Sequence, residues 1–124
     1  KNPQYGDVVE DIKEWLEERI NAAKRGGIKR SDIIVDPGIG FGKNLKHNLE
    51  ILGRLDEFKG MSGGVLLGAS RKSFIAMMTG NEGSDRLTGS LSAAMIGATA
   101  GVDLVRVHDV KETKKAIETI NFLN

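Results

Sequence analysis

The apolar residues of the chain follow two different patterns. In some segments they recur every three or four positions, which is the spacing of an amphipathic helix, and in others they form the short continuous runs typical of buried strands. The helical spacing predicts helices over residues 8–23, 45–55, 70–77, 87–100 and 110–120, and the apolar runs predict strands over residues 33–35, 65–67 and 104–107.

Polar residues mark the ends of several predicted helices. Asp7 stands before the first helical stripe and Glu10 follows three positions later, which is the pattern of a capping box. Asp109 and Glu112 repeat this pattern before the last helix. Gly26 follows two basic residues and indicates where the first helix ends.

The order of the elements predicts an α/β fold. One helix is followed by three strand–helix units whose strands begin near residues 33, 65 and 103, a spacing that fits βα units of a parallel sheet. The strands are apolar throughout, so we expect both faces of the sheet to be covered. This pattern fits an open sheet and part of a closed barrel equally well.

Composition narrows the class of protein. The 124 residues are 40% apolar and 28% charged, as in ordinary soluble globular proteins, and a net charge of +1 predicts no nucleic-acid or membrane partner. The absence of cysteine excludes disulfides and thiolate zinc sites and is typical of a cytoplasmic protein. Because the chain begins with Lys1 rather than Met, we expect it to be a segment of a longer protein.

Each predicted strand ends in residues that can bind ligands, and in parallel α/β proteins ligands bind at the carboxyl ends of the strands. The first cluster is DPGIGFGK, residues 36–43. It is not a Walker loop, because Pro37 stands where that motif has its first glycine and Asn44 where it has Ser or Thr. It is not a dinucleotide-binding loop either, because Lys43 stands where that motif has its last glycine. Asp36 could accept two hydrogen bonds from an amidine-like edge, or it could simply brace the loop.

The second cluster spans residues 68–74 and contains two serines and two basic residues. Ser70, Ser73 and nearby backbone N–H groups at a helix start can bind an anion. Lys72 could reach a heteroatom of a bound ring, while Arg71 could pair on the other side. The alternative is a solvated first turn, although basic residues there oppose the helix dipole.

The third cluster, RVHD at residues 106–109, includes the end of the last predicted strand. Side chains alternate along a strand, so Arg106 and His108 lie on the same side. A buried arginine is costly unless it meets an anion. The pair therefore predicts a phosphate or carboxylate site. We interpret Asp109 as a helix cap and His47 as a structural residue. The sequence contains no evident Ser–His–Asp system, so positioning and charge stabilisation are favoured over covalent catalysis.

Four segments resemble the dihydropteroate synthase family in order and spacing. They are DPGIGFGK at 36–43, SRKSF at 70–74, RLTGS at 86–90 and RVHDV at 106–110. The resemblance implies a (β/α)₈ TIM barrel of which residues 1–124 form the C-terminal portion, with the sixth, seventh and eighth strands. It also implies that 6-hydroxymethyl-7,8-dihydropterin pyrophosphate condenses with p-aminobenzoate to dihydropteroate in folate biosynthesis. Mg²⁺ would assist the departure of pyrophosphate, with its ligands mainly in the absent N-terminal half and no metal ligand in this chain.

The resemblance also implies roles for individual residues. Asp36 would bind the amino-pyrimidine edge of the pterin, and Lys72 would contact the pterin ring and line the p-aminobenzoate slot. Ser73 would receive the p-aminobenzoate carboxylate, or a sulfonamide in its place, and Phe41 would lie near that slot. Arg106 would lie against the pterin ring and approach the phosphates.

His108 would contact pyrophosphate, and the resemblance implies that Lys72 and Arg106 are the catalytic residues. We expect the isolated half to be inactive, since the family's first-strand loop is missing. Three parallel strands also leave two open sheet edges, which favours a homodimer or other self-association. The alternatives are a non-catalytic half-barrel that self-associates and a methyltetrahydrofolate-binding methyltransferase domain on a related barrel.

Overall fold

A computed structural model describes residues 6–39, 45–68 and 86–123 of the chain. The helices are α1 (Val8–Arg25), α2 (Leu45–Gly53), α3 (Arg86–Ala100) and α4 (Val110–Leu123), and the strands are β1 (Ile34–Val35), β2 (Gly64–Gly68) and β3 (Leu104–Arg106). Short 3₁₀ turns at Arg30–Asp32 and Leu55–Phe58 precede β1 and β2. The helix predicted over residues 70–77 lies outside the described residues. The other predicted elements are confirmed, although Leu55 belongs to the second 3₁₀ turn rather than to α2.

The three strands form one parallel sheet in the order β1–β2–β3. Val35 pairs with Val65 across the first strand pair, and Gly68 pairs with Arg106 across the second. Because each strand is followed by a crossover to the next, the chain repeats one strand–helix unit, as the spacing of the apolar runs predicts. The carboxyl ends of all three strands therefore lie along one edge of the sheet.

The ends of α1 form as the polar residues predict. The Asp7 side chain accepts hydrogen bonds from the backbone N–H groups of Val9 and Glu10, at 3.0 and 3.1 Å, and thus satisfies two donors of the first turn. At the other end the Gly26 N–H donates to the carbonyl of Ala23 at 3.0 Å. Gly27 follows with φ +98°, a conformation that glycine adopts without strain.

The helices pack on one face of the sheet. Val65 and Leu67 of β2 are each 1% exposed, and a Cβ atom at Gly97 of α3 would lie 2.7 Å from Leu67 Cδ2. Glycine at this position therefore lets α3 approach β2 closely. The largest fully buried side chains of this core are Phe58, Ile20, Ile39, Ile51, Leu55 and Leu67.

The described helices leave the opposite face of the sheet open. Ile34 is 52% exposed and Leu104 is 46% exposed, whereas their neighbour Val35, which alternates to the helical side, is buried. The expectation that both faces are covered is therefore wrong for the outer strands. Continuous apolar runs predict that residues are buried, but the described part of the chain supplies helices for one face only.

Arg54 links the start of α1 to the turn after α2. Its guanidinium contacts Asp7 Oδ1 at 3.0 Å and Glu57 Oε2 at 2.6 Å. The backbone N–H of Glu10, helped by Arg54, lowers the pKa of Asp7, and Arg54 lowers the pKa of Glu57. These three side chains hold together two segments that are distant in sequence.

Replacing Arg54 by Met should therefore lower the melting temperature at pH 7 by a few degrees, and the difference should shrink at pH 3. The ordinary pKa values of Asp7 and Glu57 are 3.8 and 4.5, and folding lowers both, so their stabilisation is complete above these values. It is lost as the pH falls through the lower values of the folded protein. Thermal melts of wild type and Arg54→Met across this range test the prediction, with Asp56→Asn, an exposed neighbour of Glu57, as control. A deficit of equal size at both pH values would contradict it.

Candidate functional site

Two of the predicted site residues meet at the carboxyl edge of the sheet. Asp36 follows β1 directly and Arg106 is the last residue of β3. Arg106 Nη1 lies 3.7 Å from Asp36 Oδ2, so the side chain spans the central strand to reach the carboxylate. The parallel topology thus brings together two residues that the sequence separates widely.

Asp36 also braces its own loop. Its Oδ1 accepts a hydrogen bond from the Gly38 N–H at 2.9 Å, and Gly38 adopts φ +77°. Ile39, the next residue, is fully buried and anchors the loop in the core. The two interpretations of Asp36 are compatible, because each carboxylate oxygen has two lone pairs, so Oδ1 can brace the loop and still accept a second hydrogen bond.

The setting of Arg106 differs from the one its strand predicts. Its side chain is 57% exposed, because it lies on the sheet face that the helices leave open. The expectation that Arg106 is buried is therefore wrong for this chain, while the predicted phosphate or carboxylate site stays a prediction. The ion pair with Asp36 adds little to the stability of the fold, since an exposed ion pair contributes about 0–1 kcal/mol. Stability therefore does not account for an arginine at this position.

Arg106 crosses β2 directly over Gly68, its partner in register. A Cβ atom at Gly68 would lie 2.7 Å from Arg106 Cζ, so the guanidinium occupies the space of a side chain there. The apolar run over residues 65–67 predicts a strand end next to Gly68, but it does not predict this contact. The contact arises from the register of the two strands, which no short segment encodes, so the sequence alone carries no signal for it.

The remaining predicted residues fall into two groups. His108 is exposed and follows β3, two residues beyond Arg106. The Asp109 carbonyl accepts from the Thr113 N–H at 3.0 Å, which places Asp109 at the predicted cap position of α4. Phe41, Lys72 and Ser73 lie outside the described residues, so their roles stay predictions.

The paired groups define what the site can bind. A carboxylate recognises a pair of N–H donors, and a guanidinium recognises a phosphate or carboxylate through two parallel hydrogen bonds. A ligand that carries an amidine-like edge near an anionic group could engage both Asp36 and Arg106. In residues 6–39, 45–68 and 86–123, no three His, Asp or Glu side chains are grouped so that they could hold a metal ion. None of the helices described is long and apolar enough to cross a membrane.

Comparison with known proteins gives consistent matches. Residues 1–108 match the family model described as "Pterin binding enzyme". The dihydropteroate synthase of Escherichia coli K12 is 42% identical over 118 residues, which cover 95% of this chain and 42% of that protein. The dihydropteroate synthase of Clostridium beijerinckii is 40% identical over 123 residues, which cover 98% of this chain and 46% of that protein. The chain thus spans less than half the length of these curated relatives.

Solved structures agree in fold. The dihydropteroate synthase of Xanthomonas albilineans with 4-aminobenzoic acid superposes with a TM-score of 0.93 at 38% identity, over 98% of this chain and 45% of that one. The Thermus thermophilus enzyme in complex with 6HMPPP gives a TM-score of 0.88 at 38% identity, over 97% of this chain and 47% of that one. These matches confirm the predicted fold class, three parallel strands with flanking helices from the C-terminal part of a (β/α)₈ barrel.

Proposed function

The chain belongs to the pterin-binding enzyme family, and from this premise we propose that residues 1–124 are the C-terminal portion of the single barrel domain of a dihydropteroate synthase. The observation that carries the proposal is the 3.7 Å approach of Arg106 to Asp36 at the carboxyl edge of the sheet. This edge is where enzymes of this architecture bind their substrates. The names of the relatives support the same activity.

The proposed substrates are 6-hydroxymethyl-7,8-dihydropterin pyrophosphate and p-aminobenzoate. Asp36 accepts the N–H pair of the amino-pyrimidine edge, and Arg106 lies against the ring and reaches toward the pyrophosphate. His108, which is exposed two residues further on, contacts the pyrophosphate. In the part of the site outside the described residues, Lys72 contacts the pterin ring, and Ser73 and Phe41 form the p-aminobenzoate slot, where a sulfonamide would also bind.

The reaction joins the aniline nitrogen of p-aminobenzoate to the methylene carbon of the pterin. The bond between that carbon and the pyrophosphate oxygen breaks, and the nitrogen releases a proton. Negative charge develops on the leaving oxygen as this bond breaks. A guanidinium held in place beforehand stabilises that charge more in the transition state than in the ground state, which is the condition for catalysis. Arg106 is therefore the catalytic residue of the described part of the chain, and Lys72 is proposed as the second.

A divalent cation is part of the same proposal. Mg²⁺ would neutralise charge on the departing pyrophosphate. In the described residues no three His, Asp or Glu side chains are grouped as metal ligands, and Asp36 already faces Arg106. We therefore propose that the Mg²⁺ ligands come mainly from the N-terminal half of the barrel.

Self-association and location complete the proposal. Ile34 and Leu104 expose apolar surface on the open face of the sheet, and this favours association with the N-terminal half or with a second copy as a homodimer. Light scattering of the isolated chain tests self-association, because a homodimer has twice the mass of one chain. A cytoplasmic location is proposed together with the folate-pathway role, and fractionation of expressing cells tests it.

The proposed activity predicts different results for the whole protein and for this chain alone. The full-length protein that carries residues 1–124 should convert the two substrates to dihydropteroate. The isolated chain should form no more product than a blank, because one half of a barrel provides only part of the substrate contacts. Chromatographic detection of dihydropteroate tests both statements. A full-length protein without this activity would refute the function, and an active isolated chain would refute only the expectation of incompleteness.

A further inference from the structure

Gly68 is an unusual choice of residue for its position. It ends the central strand, is buried, and pairs in register with Arg106. Gly68 does not have a positive φ, so its backbone conformation does not require glycine. Glycine weakens a strand because it packs no side chain, and a close approach of another group is the usual reason for it.

That group is the guanidinium of Arg106. A Cβ atom at Gly68 would lie 2.7 Å from Cζ and 3.1 Å from Nε, and closer still to Nη2. Contacts to Cβ below 3.0 Å essentially do not occur, so a methyl group and the guanidinium cannot share this space. The path of Arg106 toward Asp36 therefore depends on the missing side chain of Gly68.

We propose that Gly68 is a positioning residue, whose bare Cα lets Arg106 lie across β2 and holds its guanidinium where the anionic part of the substrate binds. The inference deepens the proposed function and rests on it for the identity of the substrate. Gly68 does not touch the reacting atoms. It acts through Arg106 by setting the route of that side chain.

The atoms that an added Cβ would meet show whether a glycine is required for folding or for placing a side chain. At Gly63 a Cβ atom would meet the backbone of Ser31, which cannot move without distorting the fold. At Gly68 it would meet the guanidinium end of the Arg106 side chain, which can change rotamer without moving the backbone. Adding a methyl group should therefore displace the guanidinium and leave the fold unchanged.

A double-mutant cycle on the full-length protein tests the proposal, with inorganic pyrophosphate as the probe and calorimetric Kd as the readout. Gly68→Ala should weaken binding about ten-fold, and Arg106→Ala about ten- to 100-fold, as expected for a lost charge-assisted contact. The double variant should bind within about two-fold of Arg106→Ala, because the methyl group has no guanidinium left to displace. Gly64→Ala is the matched control on the same face of β2, where a Cβ atom would meet Asp103 instead, and its Kd should equal that of wild type.

The stability of Gly68→Ala and the other possible binding results also test the proposal. The melting temperature of Gly68→Ala should stay within about 2 °C of wild type, since only the end of a side chain moves and the backbone does not. An unfolded Gly68→Ala, an unchanged Kd, a full additional loss in the Arg106→Ala background, or a wild type that does not bind pyrophosphate would each overturn the proposal. A wild type that shows the expected coupling but forms no dihydropteroate would refute the proposed function and leave the role of Gly68 intact.

Discussion

Replacing Asp36 by Asn in the full-length protein should lower kcat/KM for dihydropteroate synthesis by about 10³-fold. A carboxylate offers two acceptors to the two N–H groups of the amino-pyrimidine edge. The amide of Asn offers one acceptor and turns an NH₂ group toward the second donor, so one buried donor on the substrate is left unpaired. The loss of charge assistance weakens the hydrogen bond that remains.

The substitution separates binding from folding. Asp36 braces its loop by accepting a hydrogen bond from the Gly38 N–H, and the amide oxygen of Asn can accept the same bond. The melting temperature should therefore be nearly unchanged while activity is lost. Steady-state kinetics and a thermal melt of the same preparation measure both properties.

Asp32→Asn provides the matched control. Asp32 is an exposed carboxylate in the 3₁₀ turn that precedes β1, and its replacement removes the same charge without touching the carboxyl edge of the sheet. This variant should keep the activity of wild type. If Asp36→Asn stays within three-fold, on the order expected for a peripheral contact, the carboxylate has no part in pterin recognition.

The local elements of the fold were predictable because their signals are local. Asp7 caps α1 through bonds to residues two and three positions away, and the apolar run before Asp36 predicts a strand end without knowledge of the rest of the chain. The same locality places Arg106 at a strand end. Because parallel strands align their carboxyl ends, the order of the elements places Asp36 and Arg106 at the same edge of the sheet.

The features that the sequence did not predict depend on contacts between residues that are distant along the chain. The role of Gly68 arises from its register with Arg106, and register between parallel strands is set by packing that no short segment encodes. The exposure of Ile34 and Leu104 was unpredictable for a related reason. An apolar run shows that other elements must pack on both faces of a strand. It does not show whether those elements belong to this chain or to a part of the barrel beyond it.

Gly63→Ala should cause the largest loss of stability among single methyl additions to the described glycines, about 3–5 kcal/mol in the free energy of unfolding. Gly63 is exposed, so its surface position predicts tolerance. Its Cα nevertheless faces the backbone of Ser31, and a Cβ atom would overlap the Ser31 carbonyl oxygen and approach its carbon at 2.7 Å. Neither atom can rotate away, unlike the end of a side chain.

Relief of this overlap requires the two backbone segments to separate. The Gly63 N–H donates to the Ile33 carbonyl at 2.8 Å and approaches the Arg30 carbonyl at 3.1 Å, and these bonds join the segments that lead into β1 and β2. Their loss would loosen the first strand pair, on which the position of Asp36 depends. Urea denaturation of the full-length protein measures the effect, with Gly53→Ala as control because a Cβ atom there meets nothing within 4 Å. Equal urea midpoints for Gly63→Ala and wild type would show that the backbone at Ser31 yields, and that exposure rather than backbone contact governs tolerance at this turn.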